Sequence, residues 1–159
     1  EKVYDCADAG LFLCIGDFMD DGTLATIDTD LTIHVVGADG TELAAIPSAA
    51  EYAGYPTFSP GGDLFYSEAA LPADDQAAPI PSPGTIYRVA APYTGAPAVV
   101  ASTDGLLTAA TGRPFMDADH LVVGYAEGVM WGYALLCVAG EIVPLEPWPN
   151  AYLATVWPE

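Results

Sequence analysis

A seven-residue phrase occurs three times along this chain: Phe18-Met-Asp-Asp-Gly-Thr-Leu24, Phe58-Ser-Pro-Gly-Gly-Asp-Leu64 and Phe115-Met-Asp-Ala-Asp-His-Leu121. Each copy is an aromatic residue, a turn of small, acidic or proline residues, and a leucine that opens an apolar stretch. Asp, Gly and Pro suit such a turn because Asp caps its own backbone, Gly tolerates positive φ and Pro pre-sets a negative φ. The copies begin 40 and then 57 residues apart. The excess in the second interval falls in the Pro- and Ala-rich stretch from Leu71 to Pro83. No helix and no single hairpin repeats over such distances.

A period of roughly 40–50 residues with several strands per unit is the pattern of β-propeller blades. The first unit, 11–50, has an apolar run Leu11 to Ile15, then Leu24 to Ile27, Leu31 to Val36 and Thr41 to Ile46. In its third segment Leu31, Ile33 and Val35 alternate with Thr32, His34 and Val36, the period of a half-buried strand. Ala38-Asp-Gly40 reads as a hairpin turn. The second unit, 53–102, has Tyr55 to Phe58, Leu64 to Ser67, Thr85 to Val89 and Ala98 to Ala101. Its proline-rich insertion, Leu71 to Gly84, is expected to be a solvent loop. The third, 112–147, has Phe115, Leu121 to Val123, Val129 to Tyr133, Leu135 to Val138 and Ile142 to Leu145. Apart from one possible helical turn at Ser48 to Tyr52, glycine and proline interrupt every longer helical stretch. The expected fold class is all-β, with three four-stranded antiparallel blades and an extra strand at 152–157.

Tyr152-Leu-Ala-Thr-Val-Trp157 resembles the approach from Tyr52 to Phe58 and reads as the innermost strand of a fourth blade. A lone strand exposes its backbone edges and needs a partner. Propellers have about four to eight blades, so three form an incomplete ring. Leu11, Leu13, Leu153, Thr155 and Trp157 are therefore expected at an assembly interface. The partner would be a second copy, closing a ring or extending a filament, or another protein.

The charge balance narrows the partners further. There are 22 acidic residues against 3 basic ones (Lys2, Arg88, Arg113), a net charge of -19. Such a molecule repels nucleic acid and anionic membrane surfaces. Half the residues are hydrophobic, at 52%, which argues for a packed core rather than disorder. No run of about 18 apolar residues is present, so no membrane-spanning helix is expected. The acidity and the scarcity of lysine point to a saline or exported setting, extracellular or periplasmic. The chain opens on Glu1 rather than Met, which fits a processed precursor, a recombinant piece or numbering that starts at the first ordered residue.

Candidate chemistry is sparse. Cys6 and Cys14 are close enough to staple an N-terminal strand or turn as a disulfide, and Cys137 lies in an apolar run as a free thiol. Three cysteines without CxxC spacing argue against zinc. His34 and His120 read as solvated strand and turn residues. Asp17/Asp20/Asp21, Asp28/Asp30 and Asp117/Asp119 offer hard oxygen ligands for calcium, but none follows the twelve-residue calcium loop. No nucleophile elbow, phosphate loop or HExxH is present. Trp131, Trp148 and Trp157 suit packing between blades, with sugar stacking as the alternative.

Tyr55-Pro-Thr-Phe-Ser-Pro-Gly-Gly-Asp-Leu-Phe-Tyr-Ser67 resembles the repeat of TolB-type β-propellers, in which proline, an aromatic and Ser-Pro-Asp-Gly precede an apolar strand. Gly61 stands where that family has aspartate, and the spacer after it is one residue shorter. Met19-Asp20 and Met116-Asp117 stand where the family has Ser-Pro. The resemblance implies four-stranded blades and a protein-binding or scaffolding role, and it carries over no catalytic residue. The expected function is a non-catalytic, exported module of assembly or protein binding, with no cofactor. The alternatives are a piece of a larger exported propeller hydrolase or lyase, and a calcium-dependent adhesion module.

Overall fold

The computed structural model describes residues 16–70, 84–104, 106–109, 114–127 and 130–145. Every regular element among them is a β-strand, and the strands form three antiparallel four-stranded sheets, none of them closed. The first sheet comprises β1 (Gly16–Phe18), β2 (Leu24–Ile27), β3 (Thr32–Val36) and β4 (Glu42–Pro47). The second comprises β5 (Tyr52–Phe58), β6 (Leu64–Ala69), β7 (Gly84–Val89) and β8 (Ala98–Thr103). The third comprises β9 (Leu106–Ala109), β10 (His120–Glu127), β11 (Met130–Cys137) and β12 (Ile142–Pro144). Within each sheet every strand pairs with the next one in the chain, an up-and-down meander. Among the described residues no helix is long and apolar enough to cross a membrane.

The repeated phrase is one local structure used three times. Phe18 pairs with Leu24, Phe58 with Leu64 and Phe115 with Leu121. Between each pair the chain reverses through a turn closed by the same bond. The amide of Met19 donates to the carbonyl of Thr23 (2.8 Å), Ser59 to Asp63 (2.8 Å) and Met116 to His120 (2.9 Å). In the first two turns a glycine, Gly22 or Gly62, takes the left-handed backbone at φ near +89° and +88°. That conformation is open to glycine without steric cost. The third turn has Asp119 in that place and adds a side-chain cap: the Asp117 carboxylate accepts from the amides of Asp119 (2.8 Å) and His120 (2.9 Å).

Alternation along the strands sends side chains to both faces of each sheet, and the sheets stack through them. Ala25, Ile27, Ile33 and Val35 of the first sheet meet Phe58, Leu64, Tyr66 and Val89 of the second in one buried cluster. On its opposite face the second sheet contributes Phe65, Ile86 and Ala101 to a cluster with Leu107, Leu121, Val123, Ala134 and Leu136 of the third. The middle sheet is therefore apolar on both faces, which explains why β6 is buried at five of its six positions. Gly84 permits this closeness: a Cβ there would lie 2.3 Å from the backbone nitrogen of Leu107.

Three details differ from the sequence reading. The segments Val129 to Tyr133 and Leu135 to Val138, expected as two strands, form one eight-residue strand over Met130–Cys137. Cross-strand pairing with β10 continues through Gly132, Tyr133 and Ala134, so the glycine does not break it. Ser48 to Tyr52 makes no helical turn; β5 begins at Tyr52. The third sheet begins with β9 at Leu106–Ala109, ahead of the unit expected over 112–147. The three repeat phenylalanines differ in burial: Phe58 is 7% exposed, Phe115 is partly buried and Phe18 is 62% exposed. Phe58 enters the cluster between the first and second sheets, and Phe115 stands edge-on to Phe65 of the second sheet at 5.1 Å. Each thus packs toward the preceding sheet, and among the described residues none precedes the first.

Candidate functional site

The residues expected at an assembly interface (Leu11, Leu13, Leu153, Thr155, Trp157) and the expected disulfide pair (Cys6, Cys14) lie outside the described residues, as do 71–83 of the insertion. Within the described part, function is best sought on the two terminal sheet faces and in the side chains that tie sheets and strands together.

Asp17 is the tie between the first and second sheets. It sits on β1 one residue before Phe18, so alternation turns it toward β5. Its Oδ2 accepts from the hydroxyl of Thr57 (2.9 Å) and from the amide of Phe58 (3.0 Å). A second tie is internal to the middle sheet. Asp63, the last residue of the repeat turn, receives Nε of Arg88 at 2.8 Å, Nη2 of the same guanidinium, and the amide of Ala91 at 3.1 Å. Arg88 is the one Lys or Arg among the described residues. It is thus spent inside its own sheet. Tyr93 completes the corner in a left-handed backbone (φ 67°), its hydroxyl donating to the carbonyl of Gly62 at 2.8 Å. Burial first, then the charges of Asp21 and Asp63, hold its phenol above the usual range.

The polar cluster that sequence reasoning missed lies on the face of the first sheet turned away from the second. His34 on β3 is bracketed by two carboxylates. Its Nε2–H donates to Oδ2 of Asp28 at 3.0 Å and its Nδ1–H to Oε1 of Glu42 at 2.6 Å. Both ring nitrogens therefore face acceptors, which suits the imidazolium. Burial pushes this imidazole down, but the hydrogen bonds from Asp28 and Glu42 outweigh it and the net direction is up. For Asp28 burial raises the carboxyl, and His34 with the amides of Thr32 and Asp30 brings it below its usual range. Oδ1 of Asp28 takes those amides at 2.8 and 2.9 Å, closing a turn in which Leu31 adopts φ 61°. Beside His34, Thr26 is fully buried with its hydroxyl unpaired. Period-two alternation put His34 on a polar face; nothing in the spacing told that Asp28 and Glu42 would reach it.

Chemically this arrangement is a tie, not a catalytic base, because neither ring nitrogen is left to take a proton from a substrate. The carboxylate groups weighed as calcium ligands are divided in the same way. Asp17 serves Thr57 and Phe58, Asp21 caps the amide of Thr23 at 2.9 Å, and Asp117 caps its turn and meets His120 at 3.0 Å. Among the described residues no three His, Cys, Asp or Glu side chains are disposed to hold a metal ion. Cys137 is a free, half-buried thiol on β11.

The third sheet carries an apolar row outside both cores. Val122, Leu135 and Val143 form one cross-strand row on the third sheet and belong to neither buried cluster. Val143 is 46% exposed, and Leu145 just beyond it 40%. Comparison of the chain with protein-family models, with curated proteins and with solved structures found no match.

Proposed function

We propose that this chain is a non-catalytic array of propeller-type blades, exported from the cell, whose work is assembly or protein binding. The observation that carries this reading is the serial stacking of three meander sheets. The first two sheets open on the same Phe-to-Leu pairing, the third carries it as a single bridge ahead of β10, each sheet buries one face against its neighbour, and Val122, Leu135 and Val143 of the third lie outside both clusters. Stacked four-stranded meanders with a turn-and-aromatic signature per unit suit a propeller of the kind the TolB-like repeat implies. The absence of any assigned catalytic residue in that repeat, and the use of His34, Asp17 and Asp63 as structural ties, favour binding over chemistry. The acidity of the chain, -19 overall, favours an exported or saline setting and a partner that is not nucleic acid.

The partly exposed outer face of the third sheet favours a second reading, in which the chain belongs to a larger exported propeller enzyme and a neighbouring blade covers it. Two mass measurements discriminate. The mass of the protein in its natural source, if well above 16.5 kDa, supports the larger polypeptide. If it is near that value, native mass spectrometry of the intact chain should show species of two or more copies. Monomers alone, at every concentration, would remove self-assembly. A rise in melting temperature with calcium, abolished by EDTA and exceeding that of equal ionic strength, would instead favour an adhesion module.

A further inference from the structure

The chain crosses from one sheet to the next twice, each time laying its next strand on the sheet just completed. β5 follows β4 and lies against β1 and β2, and β9 follows β8 and lies against β5, β6 and β7. The face that receives β5 carries one cross-strand row, Ala25–Val35–Ala44, which begins one residue past the repeat leucine Leu24. Ala25 and Val35 share a buried cluster with Phe58, the last residue of β5, and Ala44 packs against it. The third sheet has the same row in the same place: Val122, one residue past Leu121, pairs with Leu135, and Leu135 with Val143. Ala25 and Val35 are fully buried, whereas Val122 and Leu135 are half-buried and Val143 is 46% exposed.

The sequence beyond β12 fits a third crossing. Tyr152-Leu-Ala-Thr-Val-Trp157, outside the described residues, is one residue shorter than β5, Tyr52–Phe58. β5 holds one extra residue against β6: Gly54 pairs with Ser67 and Thr57 with Phe65, three steps against two. Because of that bulge Ala53 and Phe58, five apart, reach the same buried cluster. Leu153 and Trp157, four apart, share a face of a strand without one. With the extra residue set aside, Tyr152, Leu153 and Trp157 match Tyr52, Ala53 and Phe58. Four residues, 48–51, link Pro47 to Tyr52, and seven, 145–151, link Pro144 to Tyr152, so the longer link spans the same crossing. We infer that residues 152–157 lie on the outer face of the third sheet as the first strand of a fourth, with Leu153 and Trp157 against the Val122–Leu135–Val143 row. The inference rests on the blade reading above and makes the chain's own segment the occupant of that face. The backbone edges of that strand are then what remains for a partner strand to pair with.

Cys137 reports the contact, because it follows Leu135 by two on β11 and shares its face. The full chain is alkylated over a range of protein concentrations, and the rate at Cys137 is read from the mass of its peptide, beside the variants Trp157→Ser and Leu153→Ser. Wild type should be protected to the same degree at every concentration. Each variant should react at least about tenfold faster, as for loss of a local closed state. Two further thiols locate the effect. Ala134→Cys, at a fully buried position on the inner face of β11, and Phe18→Cys, on the first sheet, should react at rates that Trp157→Ser leaves unchanged. Equal rates at Cys137 in wild type and both variants overturn the contact and leave the three stacked sheets as they are. Acceleration at Phe18→Cys in place of Cys137 puts the segment on the first sheet and overturns it. Acceleration shared by Ala134→Cys means that the whole sheet opens, and protection that grows with concentration assigns the cover to a second copy; either overturns it too. Failure of self-assembly is a separate result: a chain monomeric by native mass spectrometry with Cys137 protected keeps this contact and removes assembly alone.

Discussion

At the scale of single residues, the same side chain has opposite weight in different copies of the repeat. Phe58→Ala opens a cavity among Leu64, Tyr93 and the first sheet, and should cost about 3–5 kcal/mol in urea unfolding. Phe18→Ala at a position 62% exposed should change stability by less than about 0.5 kcal/mol in the monomer. Asp17→Ala should cost about 1–3 kcal/mol, because the amide of Phe58 and the hydroxyl of Thr57 lose a charged acceptor in a part-buried place. The His34 cluster makes a prediction in pH. His34 is raised above its ordinary 6.5, so its contribution is complete below that value and is lost as pH rises through the higher folded value. Asp28 is lowered below 3.8, so its contribution is present above that value and is lost as pH falls through the folded value. The stability difference between wild type and His34→Gln should therefore be greatest between those two ordinary values and shrink toward alkaline pH. A difference that grows with pH would show the imidazole to be neutral in the fold.

At the scale of elements, each sheet is a meander whose turns are set by local chemistry and whose position is set by its neighbours. The β6–β7 hairpin shows the separation. Its register runs unbroken to the pair Ala69–Gly84, so the ends of the intervening insertion are already side by side. Replacing residues 71–83 with a short Asn-Gly turn should keep the melting temperature within a few degrees, because closure entropy changes only slowly with loop length. A large fall would show the insertion to be packed. Gly84→Val tests the sheet contact instead: its Cβ would meet the backbone of Leu107 at 2.3 Å, so the second and third sheets must part. The expected result is a loss of more than about 2 kcal/mol, the scale of an overpacked core, with the first sheet's exchange protection retained.

At the scale of the whole molecule, the balance is between two continuous apolar clusters and a large like charge. The charge of -19 is opposed by few cations, and Arg88 is already held by Asp63. Added sodium chloride should therefore raise the melting temperature, since at about 0.15 M charges more than roughly 8 Å apart are screened. A melting temperature that falls between low and moderate salt would contradict this account.

The third sheet begins at Leu106, ahead of the unit read over 112–147, but the sequence by itself determined the all-β class and the repeat turns. These follow from local chemistry: Gly22 and Gly62 at positive φ, Asp117 capping in the third copy, and β-branched alternation along β3. The pairing of each Phe with the Leu six residues on was legible for the same reason, since a tight turn fixes its own register. Tertiary structure decided which faces are covered. Alternation tells that Ala25 and Leu24 point to opposite sides, but not that one side meets the second sheet while the other holds the His34 cluster. It also decided that Asp28, His34 and Glu42 converge, because they come from a turn and two strands brought together only when the sheet forms. Exposure of Phe18 and burial of Phe58 arise from the same turn geometry placed beside different neighbours, and burial is a property of neighbours.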